Sequence, residues 1–167
     1  FIGYTPTGCE YIFEMAAVVA GGAERLRERP FVMLYPEAIS PFVFPREVVD
    51  RIFIAADRFL PQVPGATAQP GATAPMTMAG TVVQITAESL IHITLAQLRN
   101  PGCPVSMSGN VGILDMSTAL MAFGAPEGSL GLAAQAQVAQ SFGLPTWGLA
   151  GATDAKRLDA QAGIESM

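Results

Sequence analysis

Charge is scarce in this chain. Only 14% of its 167 residues are Asp, Glu, Lys or Arg, against about 25% in an ordinary soluble domain. Nine Lys and Arg against fourteen Asp and Glu leave a net charge of −5, which excludes the basic footprint that nucleic-acid binding needs. There is one histidine, His92, and two cysteines, Cys9 and Cys103, in no CxxC pair. So few scattered ligands cannot close a four-ligand zinc shell, and the thiols read as reduced cysteines of a cytosolic protein. Long apolar runs are missing too. The low-charge stretch 59–87 is broken by Pro61, Pro64, Pro70 and Pro75, and the stretch 128–153 by Gln135, Gln137, Gln140 and Pro145, so neither suits a membrane-spanning helix. The positive start and apolar run of a signal peptide are absent, and the first residue is Phe rather than Met. The expectation is an internal fragment, or a truncated product, of a longer cytosolic protein.

What the chain has is a recurring unit. A helical stretch is followed by proline and then by a short apolar run ending in small residues, at a spacing of roughly 40 residues. Glu28-Arg29-Pro30 precedes Phe31–Tyr35, Asn100–Pro104 precedes Val105–Ser108, and Phe142–Pro145 precedes Thr146–Ala150. A weaker copy, Phe59–Pro64, precedes the Gly/Ala/Thr-rich stretch Gly65–Ala74. Helices alternating with buried strands at this spacing predict βα units on a parallel sheet. About four such units make half of an eight-stranded (β/α)₈ barrel. The expected fold class is thus α/β, a partial TIM barrel, with residues 1–167 forming one partial domain. Its open edges would need covering, and two copies could pair along them as a homo-oligomer.

Along the chain, Cys9–Arg29 reads as one helix with Tyr11, Met15, Val18 and Val19 on its apolar stripe. Pro45-Arg46-Glu47 opens a second helix. Thr77–Arg99 is the longest, with Met78, Val82, Ile85, Leu90, Ile93 and Leu98 expected on its buried faces. A weak strand is expected at Val63–Thr67, a third clear strand at Cys103–Met107 and a short helix near Met116–Phe123. A longer helix from Pro126 to Phe142 comes next, and another begins after Asp154. Chemistry in parallel βα folds sits beyond the carboxyl ends of the strands. Those ends carry Pro36-Glu37, Gly71–Pro75, Ser108-Gly109-Asn110 and Gly151–Asp154.

Three segments match a known pattern in order. Pro70-Gly71-Ala72-Thr73-Ala74-Pro75-Met76-Thr77-Met78-Ala79-Gly80 resembles the GATAPxTxAG segment of the trimethylamine methyltransferase family. Asp115-Met116-Ser117-Thr118, with Phe123-Gly124-Ala125-Pro126-Glu127, resembles its D-M-x-T…Y/F-G-x-P-E segment. Thr153-Asp154-Ala155-Lys156, with Asp159-Ala160-Gln161-Ala162-Gly163, resembles its T-D-[AS]-K-x-x-D-x-Q-A-G segment. The resemblance covers essentially the whole chain and implies an enzyme much longer than this one. It implies a (β/α)₈ barrel that moves a methyl group from a methylated amine to the cobalt of a separate corrinoid protein. The corrinoid is then held by the partner, and no metal or cofactor is expected on this chain. Archaeal trimethylamine enzymes of the family use pyrrolysine, whereas many relatives lack it and demethylate quaternary amines such as glycine betaine. Pyrrolysine lies near the third motif, where Lys156-Arg157-Leu158 stand here, and its absence points to the quaternary-amine branch.

A methyl group leaving a quaternary ammonium needs no protonation, because the amine departs neutral. The enzyme must desolvate the cation, align the carbon with its acceptor and exclude water. Aromatic faces and a carboxylate suit a bulky cation. Tyr35, Phe42 and Phe44 are candidates for the aromatic wall, with core packing the competing role. Trp147 lies inside a strand and is expected to face outward under a helix. Asp154 and Glu37 are the candidate catalytic carboxylates. Thr73, Asn110, Asp115, Lys156 and Gln161 are candidate substrate contacts. Each has a plain structural alternative: Asp115 can cap a helix, Asn110 can hold a turn, and Lys156 with Arg157 can pair with Asp154 and Asp159. Two further readings stay open, a lyase or isomerase sharing only the architecture and a half-barrel with no activity of its own.

Overall fold

Prolines stand at the start of three of the parallel segments and accept a hydrogen bond there. In the computed structural model, which describes residues 1–149 and 151–165, the carbonyls of Pro61, Pro104 and Pro145 accept from the amides of Leu34, Gln62 and Met107 at 3.0, 3.1 and 2.9 Å. A proline has no N–H to give but keeps its acceptor, so it fits the first residue of a strand, an edge or a bulge. The elements are α1 (Pro6–Ala20), α2 (Ala23–Glu28), α3 (Arg46–Asp57), β1 (Thr67–Ala68), α4 (Met78–Arg99), β2 (Met107–Ser108), β3 (Asn110–Val111), β4 (Ile113–Asp115), β5 (Leu120–Ala122), α5 (Pro126–Ser141), β6 (Thr146–Trp147) and α6 (Ala160–Glu165).

The sheet runs in chain order. Leu34 bridges Gln62, which bridges Val105, and Glu37 bridges Gly65, all in parallel. β1 pairs with β3, setting Thr67 opposite Asn110, and β2 pairs with β6, setting Ser108 opposite Trp147. The expected strand at 31–35 thus pairs further along, through Glu37. A segment not anticipated from sequence extends the array: the Phe1 nitrogen donates to the Met33 carbonyl at 2.8 Å and the Tyr35 amide donates to the Phe1 carbonyl at 2.9 Å. Helices pack in the same order on one face, α1 against α3, α3 against α4 and α4 against α5. The result is an α/β fold whose parallel segments form an open array. No closed barrel is present among the described residues. Nor is any helix among them long and apolar enough to cross a membrane.

Alternation assigns the two faces. Leu34, Pro36 and Ala38 are buried toward the helices, whereas Tyr35, Glu37 and Ile39 occupy the opposite face. Leu34 packs with Cys9, Phe13, Ala16 and Leu26, and Ala66 and Ala68 pack on Ile85 of α4. Both cysteines are free and buried.

Four expectations need correction. The single helix over 9–29 is two, because Gly21 and Gly22 adopt φ of 83° and 135° and end α1 with a left-handed cap. Tyr11, Met15, Val18 and Val19 lie on the exposed face of α1, and Cys9, Phe13 and Ala16 face the core; two stripes share the helical period and only packing chooses between them. The helix near 116–123 is instead a β4–β5 hairpin, with Leu114 opposite Met121. Its turn is nucleated by Asp115, whose Oδ1 and Oδ2 accept from the Ser117 and Thr118 hydroxyls at 2.7 Å each. On α4 the buried side is largely polar, Thr81, Gln84, Glu88, Ser89 and His92 among it, while Leu98 is exposed. The last strand was expected to reach Ala150, which lies outside the described residues, as do Ser166 and Met167 of the last expected helix.

Gly109 faces α4 so closely that a Cβ there would overlap the Ile85 side chain. In the full-length protein Gly109→Ala is expected to lower stability by about 1–3 kcal/mol. Adding Ile85→Val should recover part of that loss in a denaturant melt, and no recovery would place the strain elsewhere.

Candidate functional site

The face opposite the helices gathers residues from four parallel segments. Tyr35 and Glu37 come from the segment after Pro30, Thr67 from β1, Asn110 from β3 and Trp147 from β6. The Asn110 Nδ2 donates to the Tyr35 hydroxyl at 3.3 Å, and the Thr67 hydroxyl donates to Glu37 Oε1 at 3.1 Å. The Tyr35 and Trp147 rings lie 5.3 Å apart, tilted by 56°. Their approach is reinforced at Gly65, where a Cβ would stand 2.9 Å from the Tyr35 ring and 2.8 Å from the Glu37 Cα. Burial pushes the Tyr35 phenol up to about 12, the Glu37 carboxylate adds to that, and hydrogen bonds from Thr67 and Asn110 oppose it. Asn110 is buried, yet its Oδ1 has no hydrogen-bond partner. Beneath the ring pair a cavity of about 400 Å³ is lined by Phe1, Met33, Tyr35, Val63 and Trp147 among others. Chemically this is two aromatic faces and an exposed carboxylate on an open surface, with a phenol that stays neutral.

Two loops leave the ends of these segments, and α4 holds both. After Glu37 the chain makes a tight turn closed by reciprocal 2.9 Å bonds between Ile39 and Val43. At its tip Phe42 has φ of 59°, a left-handed conformation rare for a bulky residue. Glu88 of α4 accepts there from the Ser40 hydroxyl at 2.7 Å and the Phe42 amide at 3.0 Å. The second loop folds on itself, since the amides of Ala72, Thr73 and Ala74 all donate to the Gln69 carbonyl at 3.0 Å. Thr73 Oγ1 accepts from the Gln69 amide, and the Thr73 carbonyl accepts from Gln84 Nε2 at 2.9 Å. Gln84 Nε2 also reaches Glu88 Oε1 at 3.2 Å. Phe42 is half exposed, whereas Phe44 is turned into the α3–α4 core with Val48 and Ile52.

The remaining candidates form a second group. A groove of about 570 Å³ is lined by Asp115, Thr118, Phe123, Asp154 and Lys156, among others. Both Asp154 oxygens accept backbone amides, Phe123 at 3.0 Å and Gly124 at 2.9 Å, so this carboxylate fastens the end of the hairpin. Asp115 is held below the usual carboxylate range by the Ser117 hydroxyl first and then by the Ser117 amide and Thr118. Gln161 donates to Glu165 at 2.6 Å. Glu165 in turn accepts from the Thr153 hydroxyl and the Asp154 amide, bonds that keep its carboxyl below the usual range, with Thr153 foremost. His92 is buried against Gln62 at 3.1 Å, and burial lowers its pKa to about 3.

The structure therefore joins Tyr35, Glu37 and Asn110 in one place and Asp115, Asp154 and Lys156 in another. It sets Phe42 and Thr73 on the tethered loops and leaves Phe44 in the core. Sequence reasoning missed Thr67, which sits two residues before Gln69 at a strand end, and Glu88, whose place amid apolar helix residues was its signal. It also aimed Trp147 at the helices. The ring faces inward because β6 pairs in register with β2, with Ser108 opposite Trp147.

A family model described as trimethylamine methyltransferase (MTTB) matches residues 4–167. The glycine betaine methyltransferase of Desulfitobacterium hafniense (strain Y51) is 32% identical over 154 residues, 92% of this chain and 32% of its own length. The trimethylamine methyltransferase MttB of Desulfitobacterium hafniense (strain DSM 10664 / DCB-2) is 36% identical over 154 residues, 92% of this chain and 31% of its own. The proline betaine:corrinoid methyltransferase of Eubacterium limosum is 34% identical over 140 residues, 83% of this chain and 29% of its own. The chain spans about a third of the length of these curated relatives. With a match that runs from Tyr4 to its last residue, the chain belongs to the trimethylamine methyltransferase family.

Proposed function

We propose that the full-length protein is a cytoplasmic methyltransferase that takes a methyl group from a quaternary ammonium compound. The acceptor is the Co(I) of a corrinoid carried by a separate protein. The chain forms an arc of a (β/α)₈ barrel, with the rest of the wall supplied by the remainder of the protein. The observation that carries this reading is the Tyr35–Trp147 ring pair beside the Glu37 carboxylate on the open face of the sheet. A quaternary ammonium has no N–H to donate, so recognition must come from ring faces and a counter-charge rather than from directed hydrogen bonds. Both are present here.

Each residue has a role in that reading. Tyr35 and Trp147 replace water around the cation, and Glu37, steered by the Thr67 hydroxyl, offsets its charge. Asn110 orients the Tyr35 ring through its bond to the phenol oxygen. The leaving amine departs neutral, so no acid is required, which agrees with a phenol that stays protonated. Asp154 acts by holding the hairpin wall, and Asp115 by shaping its turn. Lys156 lines the separate groove with Asp115 and Asp154. Thr73 serves through its loop, Gln161 through its bond to Glu165 on α6, and Phe42 stands at the edge of the mouth.

The direct test incubates the full-length protein with reduced cobalamin and a panel of N-methyl donors, following the cobalamin absorbance. Methylation from a quaternary amine such as glycine betaine, but not from trimethylamine, supports the reading. No methylation from any donor, with a cognate corrinoid protein also supplied, sinks it. Trp147→Ala removes a ring face worth about 1–2 kcal/mol and is expected to raise KM roughly five- to thirty-fold, with Trp147→Phe far milder. For Tyr35, a folded-state pKa near 12 against about 10 unfolded means that the unfolded chain releases its proton first as pH rises. The stability this group contributes is full below pH 10 and is lost between 10 and 12. Ultraviolet titration of the parent should show one phenol ionising near pH 12 that is missing from Tyr35→Phe; identical curves above about pH 11 would contradict it.

A further inference from the structure

We infer that Glu88 is a positioning residue for the proposed donor site, tying the Phe42 turn and the Gly71–Pro75 loop to one point on α4. The inference rests on the reading above, because it concerns how that site's mouth is shaped. Glu88 is 1% exposed, and no Lys, Arg or His forms an ion pair with it among the described residues. A carboxyl group buried without a cation must be balanced by hydrogen bonds. All three that it makes come from groups bound to the mouth: the Ser40 hydroxyl, the Phe42 amide and Gln84 Nε2. Gln84 in turn holds the Thr73 carbonyl. One side chain thus spans two loops that leave different strands.

The geometry shows what the tie achieves. The turn opens two residues beyond Glu37, about 7 Å of extended chain. Ile39, on the same face as Tyr35 and Glu37, is 59% exposed and Phe42 is 50% exposed. A bulky residue keeps a left-handed backbone only where its surroundings over-determine it, and the Glu88 bond to the Phe42 amide does so here. Phe42 is thereby presented to solvent beside the site instead of collapsing into the α3–α4 core, where Phe44 lies.

The test uses the full-length protein with Glu88→Gln, Phe42→Ala, the double variant and the milder Ser40→Ala. Binding of tetramethylammonium is measured by calorimetry, and amide exchange is followed in residues 39–43 and 69–75. Glu88→Gln keeps the size but turns an amide N–H₂ toward one of the three donors. The expected result is exchange that quickens in both loops together, with the melting temperature of the rest little changed. Tetramethylammonium binding should weaken roughly five- to tenfold, and the double variant should bind no worse than the weaker single. Ser40→Ala should loosen 39–43 alone. On any donor that the wild type uses, KM should rise with kcat nearly constant. Unchanged binding in a folded Glu88→Gln protein, additive losses, or exchange that quickens in one loop only would overturn the inference, as would a wild type that does not bind the cation. Cation binding without methyl transfer would instead remove the proposed reaction and leave the role of Glu88 standing.

Discussion

A helix that buries polar side chains must find a partner for each of them, and this requirement on α4 organises everything near the site. Leaving a buried donor or acceptor unpaired costs about 1–3 kcal/mol, so Thr81, Gln84, Glu88, Ser89 and His92 cannot be spectators. Thr81 donates to the Pro75 carbonyl at 2.8 Å, Ser89 to the Ser108 carbonyl, and His92 meets Gln62. Read up the helix, these bonds touch both mouth loops, β2 and the Gln62 segment in turn. An apolar face would have packed against the sheet with no preference for any one loop conformation. A polar face fixes which carbonyls and hydroxyls come to it, at the cost of tolerating fewer alternatives.

The sheet is too sparse to supply that order by itself. Its named strands are two or three residues long, and several contacts are single bridges. What aligns them is the proline at the start of three segments, which caps the ladder with an acceptor, together with close packing where glycine leaves room. Gly109 admits Ile85, and Gly65 admits the Tyr35 ring. The register that follows is what brings Thr67 level with Asn110 and turns Trp147 inward.

Much of this was legible in the residues, and the failures have physical causes. The Pro-led apolar runs located the segments at Leu34, Gln62, Val105 and Thr146, since proline and glycine act locally. β3, however, was expected as chain leaving a strand and instead pairs with β1. The long helix 78–99 was found to within one residue, Thr77 being its N-cap. Its buried face was not, because hydrophobic period alone cannot show that polar side chains point inward to waiting carbonyls. The hairpin at 113–122 was misread because Asp115-x-Ser-Thr can cap a helix or close a turn, and only Leu120–Ala122 finding β4 decides it. Tyr35, Glu37 and Asn110 were found as strand-end residues. Trp147 was named but turned the wrong way, and Thr67 and Glu88 escaped because what matters in them is contact across the sheet rather than sequence neighbourhood.

The tethering of both loops also bears on how a methyl group could leave this face. If the acceptor is a corrinoid on another protein, the donor site must stay wide enough for a bulky group to reach the carbon in line. A lid that swept across the strands would exclude water and the acceptor alike. Here the Ile39–Val43 turn is drawn toward α4 and the Gly71–Pro75 loop is wound onto Gln69, so neither hangs freely over Tyr35 and Trp147. The exposed Ile39, Phe42 and Val43 form an apolar rim beside that face. An open mouth with a fixed edge suits a reaction whose second substrate arrives on a protein. A flexible lid suits one whose substrates are all small.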